Sequence, residues 1–427
     1  MNRAHHLLPA AVVLALAGAF TPSAHAYNSN SNRQIIPLGE TEAFLGNAGV
    51  GRANDTGAVY YNPSGLAELS SGRVSVTGSA YLSFDTRTDG AFFVDQTTVG
   101  YEASGFNTIP AFYVAAYKMD DWVTAISVLV PNSLQVESRS PFTTPSTQST
   151  IIAATKSSDL WIGLSAARKV DEHWNLGVTL FAIQHQEATT VGLDMTFPAN
   201  PTTSLTTSME QVTLATIGLS ATFGITYLPD DPQWRFGLRA QTSLVQLGGN
   251  ADTFISSHKE TGGVIASTVE DKRATEAHYQ LPFDFTLGSA YIANDWLTVL
   301  ADVSMQLGAD YSSIPGSTVT EQVNLKPTPR FNLGMEFKTA KWMQLRTGFF
   351  YNPSANGQDS NTPGYSAEDF YGLTAGIGIN SAKVRTGVGV FYVWSSGQSI
   401  PTGSPSTTPS KSNSRGTGLV LTTSFLL

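Results

Sequence analysis

The chain has 427 residues, with 24 Lys or Arg against 33 Asp or Glu, a formal net charge of −9 and no cysteine. The acidic balance argues against a nucleic-acid partner, which calls for a basic surface. The lack of cysteine excludes a disulfide framework and thiolate metal sites, and the histidines after residue 26 show no ligand spacing. We therefore expect no metal and no cofactor.

Residues 1–26 have the pattern of a secretory signal peptide. Arg3 precedes an apolar run over residues 7–20, and small residues at 24 and 26 form a cleavage site before Tyr27. A transmembrane helix is the alternative, but the run is short and contains Pro9 and Gly18. Since no apolar run of about 18 residues follows, the rest of the chain is predicted to be a secreted soluble β protein or an outer-membrane barrel.

Period-two alternation recurs after residue 72 and predicts β-strands. In residues 330–338, Phe331 and every second residue to Phe337 are apolar, while the residues between them are Asn, Gly and Glu, flanked by Arg330 and Lys338. The same pattern occurs in residues 235–244, 297–307, 384–394 and 416–427. A sheet with lipid outside and a polar lumen fits this pattern, whereas the polar face of a soluble sandwich usually carries more Lys and Glu.

The connections favour the barrel. Five of six short polar turns lead directly into a tryptophan: Trp122, Trp174, Trp234, Trp296 and Trp342. Seven longer polar segments lie between the turns, at about 85–105, 131–158, 188–210, 247–280, 308–328, 352–369 and 395–415. Short turns at one end, long loops at the other and interfacial aromatics are typical of outer-membrane barrels. Thirteen connections predict an all-β, transmembrane antiparallel β-barrel of about 14 strands over residues 73–427.

Residues 27–72 precede the barrel and show no strand-length alternation. The segment contains Gly46, Gly49 and Gly51, which allow tight turns against a wall. Because 14 strands enclose a lumen that side chains alone do not fill, we predict that this segment is an N-terminal hatch that plugs the lumen. The alternative, a disordered periplasmic tail, fits its apolar and aromatic content poorly.

The hatch motif also resembles a known family. Gly51, Arg52 and Asp55, followed by Asn62-Pro63 in the run 61–66, resemble the N-terminal hatch of the FadL-type outer-membrane transporters of long-chain fatty acids and aromatic hydrocarbons. Ser64 stands where the family pattern has alanine. Segments 107–134 and 283–395 support the resemblance through order and spacing. It implies a fourteen-stranded barrel in the bacterial outer membrane that acts as a monomer and passes hydrophobic molecules by diffusion, without an energy source.

The resemblance further implies an apolar pocket and a sideways exit into the membrane, where an inward kink of the third strand meets the hatch. Pro131 interrupts the predicted third strand and removes a ladder donor. The predicted lateral gate is therefore Val130, Pro131, Asn132 and Ser133. The alternative is that the third strand ends at Pro131 and a loop begins.

A fatty acid requires an apolar slot and a cation for its carboxylate. Arg239 and Arg330 face the lumen by parity and are the predicted ligand-binding arginines, although lumen arginines in barrels often only pair with acids such as Glu336. Arg346 and Arg385 also face inward by parity. Phe92, Phe93 and Phe106, in and after the predicted first loop, are expected to line an entrance groove, unless they merely pack the loops together.

The predicted function is passive outer-membrane transport of hydrophobic molecules, with long-chain fatty acids as the expected substrates and outer-membrane lipid as the surroundings. The alternative is a plugged barrel that serves as an assembly or secretion partner without transport. A general porin conflicts with the hatch. We expect no enzyme, since no nucleophile elbow is present; a lipase built on His185 and a serine is the residual enzymatic hypothesis.

Overall fold

Strands occupy most of the chain after residue 72. The computed structural model describes residues 32, 35–52, 54–77, 80–94, 97–109, 112–144, 147–197, 203–261, 263–316, 322–361, 365–400 and 408–427. The predicted signal peptide and the first residues of the predicted hatch lie outside these ranges. Across the described ranges, no helix is both long enough and apolar enough to span a membrane.

Twenty β-segments are present in the described part of the chain. They are β1 (Arg73–Thr77), β2 (Ala80–Val94), β3 (Thr97–Ile109), β4 (Phe112–Met119), β5 (Trp122–Thr143), β6 (Gln148–Lys169), β7 (Trp174–Thr196), β8 (Thr203–Tyr227), β9 (Trp234–Gln241), β10 (Val245–Thr261), β11 (Val264–Glu276), β12 (Asp284–Asn294), β13 (Leu297–Gln306), β14 (Ala309–Ser312), β15 (Gln322–Leu325), β16 (Thr328–Ala340), β17 (Met343–Asn352), β18 (Ser366–Asn380), β19 (Val384–Ser399) and β20 (Ser410–Leu426).

The segments close into one barrel. Within the described residues, 18 segments form a single antiparallel sheet, and β14 and β15 pair separately. Four barrel strands are divided into two segments each, namely β1/β2, β3/β4, β9/β10 and β11/β12, so the 18 segments make 14 strands. The sheet closes because β1 and β2 both pair with β20, from Arg73 opposite Leu426 to Thr88 opposite Ser412. The predicted fourteen-stranded antiparallel barrel is confirmed.

The alternation of faces also agrees with the prediction. Along β16, Arg330, Asn332 and Glu336 are buried, while Phe331 is exposed on the outer surface. The five tryptophans that follow short turns are all exposed at the same end of the barrel. An apolar outer band with aromatics at its edge is the arrangement that contact with lipid favours.

The predicted long loops are mostly wrong. β5, β6, β7 and β8 are 22, 22, 23 and 25 residues long, so the predicted loops 131–158 and 188–210 consist largely of paired strands. About 9–11 residues suffice to cross the apolar layer of a membrane. The ladder continues beyond that layer because backbone pairing does not require lipid, and the Ser- and Thr-rich composition marks contact with water rather than the end of a strand.

The hatch fills the barrel from within. The described hatch residues 35–52 and 54–72 contain three short helical turns, Glu42–Phe44, Ala58–Tyr61 and Pro63–Glu68, and almost all side chains of these turns are buried. Phe44 and Tyr60 of this segment belong to the same apolar cluster as Trp161 and Phe181 of the barrel wall. The barrel and its plug therefore share one core.

Candidate functional site

Buried polar contacts fasten the hatch to the wall. The backbone N–H groups of Gly49 and Val50 donate to Asp302 Oδ2 over 2.7 and 3.0 Å. Arg52 donates to both carboxylate oxygens of Glu336, over 2.9 and 3.3 Å. Bidentate pairs of this kind are geometrically specific, so the orientation of the hatch is defined by the wall residues that face it.

The Asn-Pro pair of the hatch makes the next set of contacts. Asn62 donates through Nδ2 to Val50 O over 2.8 Å and to Ile225 O over 3.2 Å, and its Oδ1 accepts from the Ser64 N–H. The Ser64 hydroxyl lies 2.7 Å from Thr226 Oγ1. Ser64 thus forms a wall contact that the alanine of the family pattern cannot make. The other motif residue, Asp55, accepts from the Gly57 N–H over 2.7 Å, within the hatch itself.

Wall glycines make room for the hatch. A Cβ on Gly237 would overlap Val50 O, and a Cβ on Gly348 would overlap the backbone at Gly46. Gly46 itself has φ +62° and lies against the backbone of Phe349, so it requires both the conformational freedom and the small size of glycine. The further wall glycines in the same situation are Gly177, Gly224, Gly288 and Gly334. Sequence reasoning missed this band, although glycine on the polar face of several strands was its signal.

The hatch also buries acidic groups. Glu40 accepts hydrogen bonds from Ser424 over 2.6 Å and from Thr56 and Ser75 over 3.1 Å each. Burial, and then repulsion from Asp55, raises the pKa of Glu40 and of Glu42 above the usual range. The buried Glu40 carboxyl group is therefore satisfied largely by hydroxyl donors, two of them from the barrel wall.

The two predicted ligand-binding arginines meet at one carboxylate. Arg239 Nη1 lies 2.7 Å from Asp284 Oδ1, and Arg330 Nη2 contacts the other oxygen of the same side chain. Arg239 also donates to the hatch at Tyr60 O over 3.0 Å and to Gln241 over 2.6 Å. The exposed fractions of Arg239 and Arg330 are 3% and 6%. Parity predicted their direction correctly, but Asp284, the residue that joins them, was not anticipated.

Arg346, another inward arginine, is also engaged. Arg346 donates through Nε to Glu336 over 2.8 Å, so Glu336 lies between Arg346 and the hatch residue Arg52. This pairing with an acid is the structural alternative to ligand contact.

The three phenylalanines that were predicted to line an entrance groove lie in strands. Phe92 and Phe93 lie in β2 rather than in a loop; their side chains lie outside the described part of the structure. Phe106 lies in β3 and points outward, with 71% of its surface exposed. The predicted first loop at about 85–105 is wrong because β2 and β3 form one long hairpin.

The wall is interrupted beside the predicted gate. β4 pairs with β5 as far as Phe112 opposite Leu129, and above that point the only described backbone pair between β3 and β5 is Ser104 opposite Glu137. On its other side, β5 keeps its ladder with β6 except for a bulge between Leu129 and Asn132. β5 runs to Thr143, so the alternative that the third strand ends at Pro131 is wrong.

A second irregularity lies farther round the wall, between the strand β9/β10 and the strand β11/β12. β9 ends at Gln241 before β10 begins, and β11 and β12 are separated by residues 277–283. A cavity of about 550 Å³ lies there, lined by residues that include Gln246, Leu247, Tyr279 and Leu281. The Gln246 amide bridges the break, donating to Ala277 O over 2.7 Å and accepting from the Tyr279 N–H over 3.0 Å.

A buried histidine lies between the two irregularities. His185 Nδ1 is 2.6 Å from Asp159 Oδ1, its Nε2 is 3.7 Å from Glu187 Oε2, and its ring stacks on Tyr279 with 3.8 Å between centroids. Both ring nitrogens face carboxylates rather than a serine hydroxyl, an arrangement that gives no support to the lipase hypothesis. The described residues contain no group of three or more His, Asp or Glu suited to a metal.

Both the sequence and the fold of this chain are similar to those of known proteins. The sequence profile described as "Outer membrane protein transport protein (OMPP1/FadL/TodX)" matches residues 18–425. No curated protein matches the chain. Among solved structures, the Pseudomonas putida toluene transporter TodX is similar with a TM-score of 0.69 and 14% identity, and a Pseudomonas aeruginosa FadL homologue with 0.65 and 14%. The Ralstonia pickettii toluene transporter TbuX gives 0.61 and 15%; each comparison covers 92% of this chain and 99% of the other.

Proposed function

Because the chain belongs to the OMPP1/FadL/TodX family of outer-membrane transport proteins, we propose that it takes up hydrophobic compounds by diffusion, with long-chain fatty acids as its substrates. The observation that carries this proposal is the combination of a lumen filled by the hatch with a wall interrupted beside β5. A plugged axis favours a route through the wall, and a route through the wall suits molecules that dissolve in lipid.

The proposed gate is formed by Val130, Pro131, Asn132 and Ser133. Val130 and Pro131 are the two residues of the β5 bulge that stand opposite Leu160, and proline cannot donate to a ladder on either side. All four side chains are neither fully buried nor fully exposed. In this proposal, they form the edge that a solute crosses between the lumen and the membrane.

Fatty acids are proposed as substrates because of the arginine pair. Arg239 and Arg330 share the single carboxylate of Asp284, and a guanidinium group has five N–H donors with which to reach a second anion. A substrate carboxylate at this pair would be held by charge-assisted hydrogen bonds. Its chain would then lie along the apolar cluster that includes Leu134, Trp161 and Phe181.

Neutral aromatic hydrocarbons are the second candidate. The observation that favours them is that Arg239 already bonds the hatch, Gln241 and Asp284, which is what a purely structural arginine would do. The TodX and TbuX structures, similar in fold, are those of toluene transporters. The two candidates differ in whether the arginine pair contacts the substrate.

Competitive binding to the purified protein in detergent distinguishes the candidates. A fluorescent fatty acid is displaced by oleate, toluene or a sugar, with wild type and Arg330→Gln measured side by side. For a fatty-acid transporter, we expect oleate affinity to fall about tenfold in Arg330→Gln, since charge-assisted bonds contribute about 1.5–3 kcal/mol. Displacement of the fluorescent fatty acid by toluene is the control, and the toluene affinity should be the same in Arg330→Gln and wild type.

Other outcomes of this experiment are equally decisive. Equal oleate affinity in both proteins would assign the arginine pair to structure and favour the aromatic candidate. No saturable binding of any apolar compound would overturn the transport proposal and favour the assembly or secretion partner.

We also propose that the protein is exported with removal of residues 1–26 and acts as a monomer. Within one chain the sheet closes between β1 and β20, so closure leaves no open edge to be satisfied by a second copy. Amino-terminal sequencing of the membrane-inserted protein tests the cleavage, and cross-linking in the membrane tests the monomer.

A further inference from the structure

One side chain bridges the interruption between β3 and β5. Asn107 Oδ1 accepts from the Gln135 N–H over 2.8 Å, and Asn107 Nδ2 donates to Gln135 O over 3.2 Å. Only one orientation of the amide makes both bonds, so the network itself assigns the oxygen and the nitrogen. The side chain thereby forms the two bonds that a residue of a neighbouring antiparallel strand would form through its backbone.

The two segments touch here without a ladder. A Cβ on Gly105 would overlap Gln135 O, so glycine allows β3 to lie directly against β5 just above the bridge. Near the upper edge, the Ser138 hydroxyl donates to Glu102 O. The described hydrogen bonds that hold this part of the wall closed are thus largely made by side chains.

The surroundings of the bridge are apolar on both sides of the wall. Leu134 and Val136 of β5 are buried on the lumen side, within the main apolar cluster. Phe106, adjacent to Asn107, is exposed on the outer surface. A hydrophobic solute crossing the interruption would pass from one apolar surface to the other, with the Asn107 amide as the polar contact between them.

We propose that Asn107 is the latch of the lateral gate, a proposal that rests on the proposed transport function. With its amide on Gln135, the wall is closed. When the Asn107 side chain rotates, two hydrogen bonds break and no backbone pair between β3 and β5 is lost at this level. β5 stays in place because its ladder with β6 continues from Asn132 to Thr143.

A reversible cross-link tests the latch. The pairs Phe112–Leu129 and Ser104–Glu137 fit one antiparallel register. That register places Leu134 opposite Asn107. The chain has no cysteine, so the double variant Asn107→Cys/Leu134→Cys has a single possible disulfide. We expect oxidation to lower oleate uptake by cells about tenfold, by holding the gate in one state, and reductant to restore uptake in the same protein.

Removing the amide tests the opposite direction. Asn107→Ala should raise the rate of oleate uptake, because the closed state loses two hydrogen bonds. Gln246→Ala is the matched control, since it removes an amide that also bridges two backbone groups but lies at the other irregularity. It should leave uptake unchanged.

The outcomes separate the latch from the transport function. Equal uptake by the oxidised and reduced double variant would overturn the latch while leaving transport intact, as would the same effect of Asn107→Ala and Gln246→Ala. A wild-type protein that gives no oleate uptake at all would overturn the proposed function, and the latch with it. Restoration of uptake by reductant shows that the cross-linked protein was folded.

Discussion

Two interruptions of the barrel wall, one beside β5 and one beside β10, begin alike. Each lies beside a bulge in the ladder on the other side of the same strand, between Leu129 and Asn132 in β5 and between Gln246 and Gly248 in β10. Each is bridged by a side-chain amide that bonds both a backbone N–H and a backbone C=O, from Asn107 in one case and from Gln246 in the other.

The two regions differ in what else closes them. Around Gln246, the backbone itself is joined, by Leu244 N–H to Leu281 O over 2.9 Å and by Ala277 N–H to Gly249 O over 3.4 Å. Around Asn107, no described backbone pair crosses until Ser104 meets Glu137. A break in strand geometry is therefore not in itself a break in the wall. The wall can open at a low cost in free energy only where the hydrogen bonds that close it are made by side chains.

The largest effect should come from removing the hatch. Neither irregularity can control passage unless the axis of the barrel is shut, so deletion of residues 27–72 should admit small polar solutes through the lumen, as open barrels do. Swelling of liposomes in sugars of graded size measures this. If the deletion variant excluded sugars as the wild type does, the hatch would not be the axial barrier, and the lumen would be closed by other parts of the barrel.

A smaller effect is expected from Tyr279→Ala. Tyr279 closes the second region on its inner side by stacking on His185, and loss of a buried aromatic ring should cost about 3 kcal/mol in unfolding free energy. Unfolding in denaturant, monitored by the electrophoretic mobility shift of the folded barrel, measures this loss of stability. Oleate uptake should stay at the wild-type level because the backbone bonds remain. An increase in uptake would show that the second region also opens.

The smallest effect should follow Gln246→Ala. It leaves the Ala277 carbonyl and the Tyr279 N–H without their amide partner, which typically costs about 1–3 kcal/mol for buried groups. The same unfolding assay measures this loss, with Gln246→Glu as the control that retains the acceptor for Tyr279. A variant as stable as the wild type would mean that the backbone bonds alone close this region.

Much of the fold could be predicted because each strand of a barrel wall has a local sequence pattern. Phe331 and Arg330 face opposite sides for the reason that any adjacent residues of a strand do, and the same rule gave the direction of Arg239 and Arg346. Pro131 marked a ladder defect correctly, yet the sequence left open whether β5 continued beyond it. That question depends on whether β6 stays paired, which no local pattern reports.

The parts that could not be predicted depend on residues far apart in sequence. Parity placed Arg239 and Arg330 in the lumen but did not show that Asp284 would join them, because the register of three strands decides which side chains meet. For the same reason, the band of glycines that receives the hatch was visible as composition but not as a surface. The loop predictions were wrong because a polar composition indicates contact with water, and the strands extend into water.

The sequence by itself determined the fold class, the strand count, the outward apolar face and the need for a plug, since each follows from periodicity, turn chemistry and chain length. Only the tertiary structure decided how far the strands run past the membrane, which charges pair, and where the wall is held by side chains alone. These are properties of register and closure. They arise when strands distant along the chain come to lie side by side, and the hydrogen bonds and ion pairs that result have no signature in any one segment.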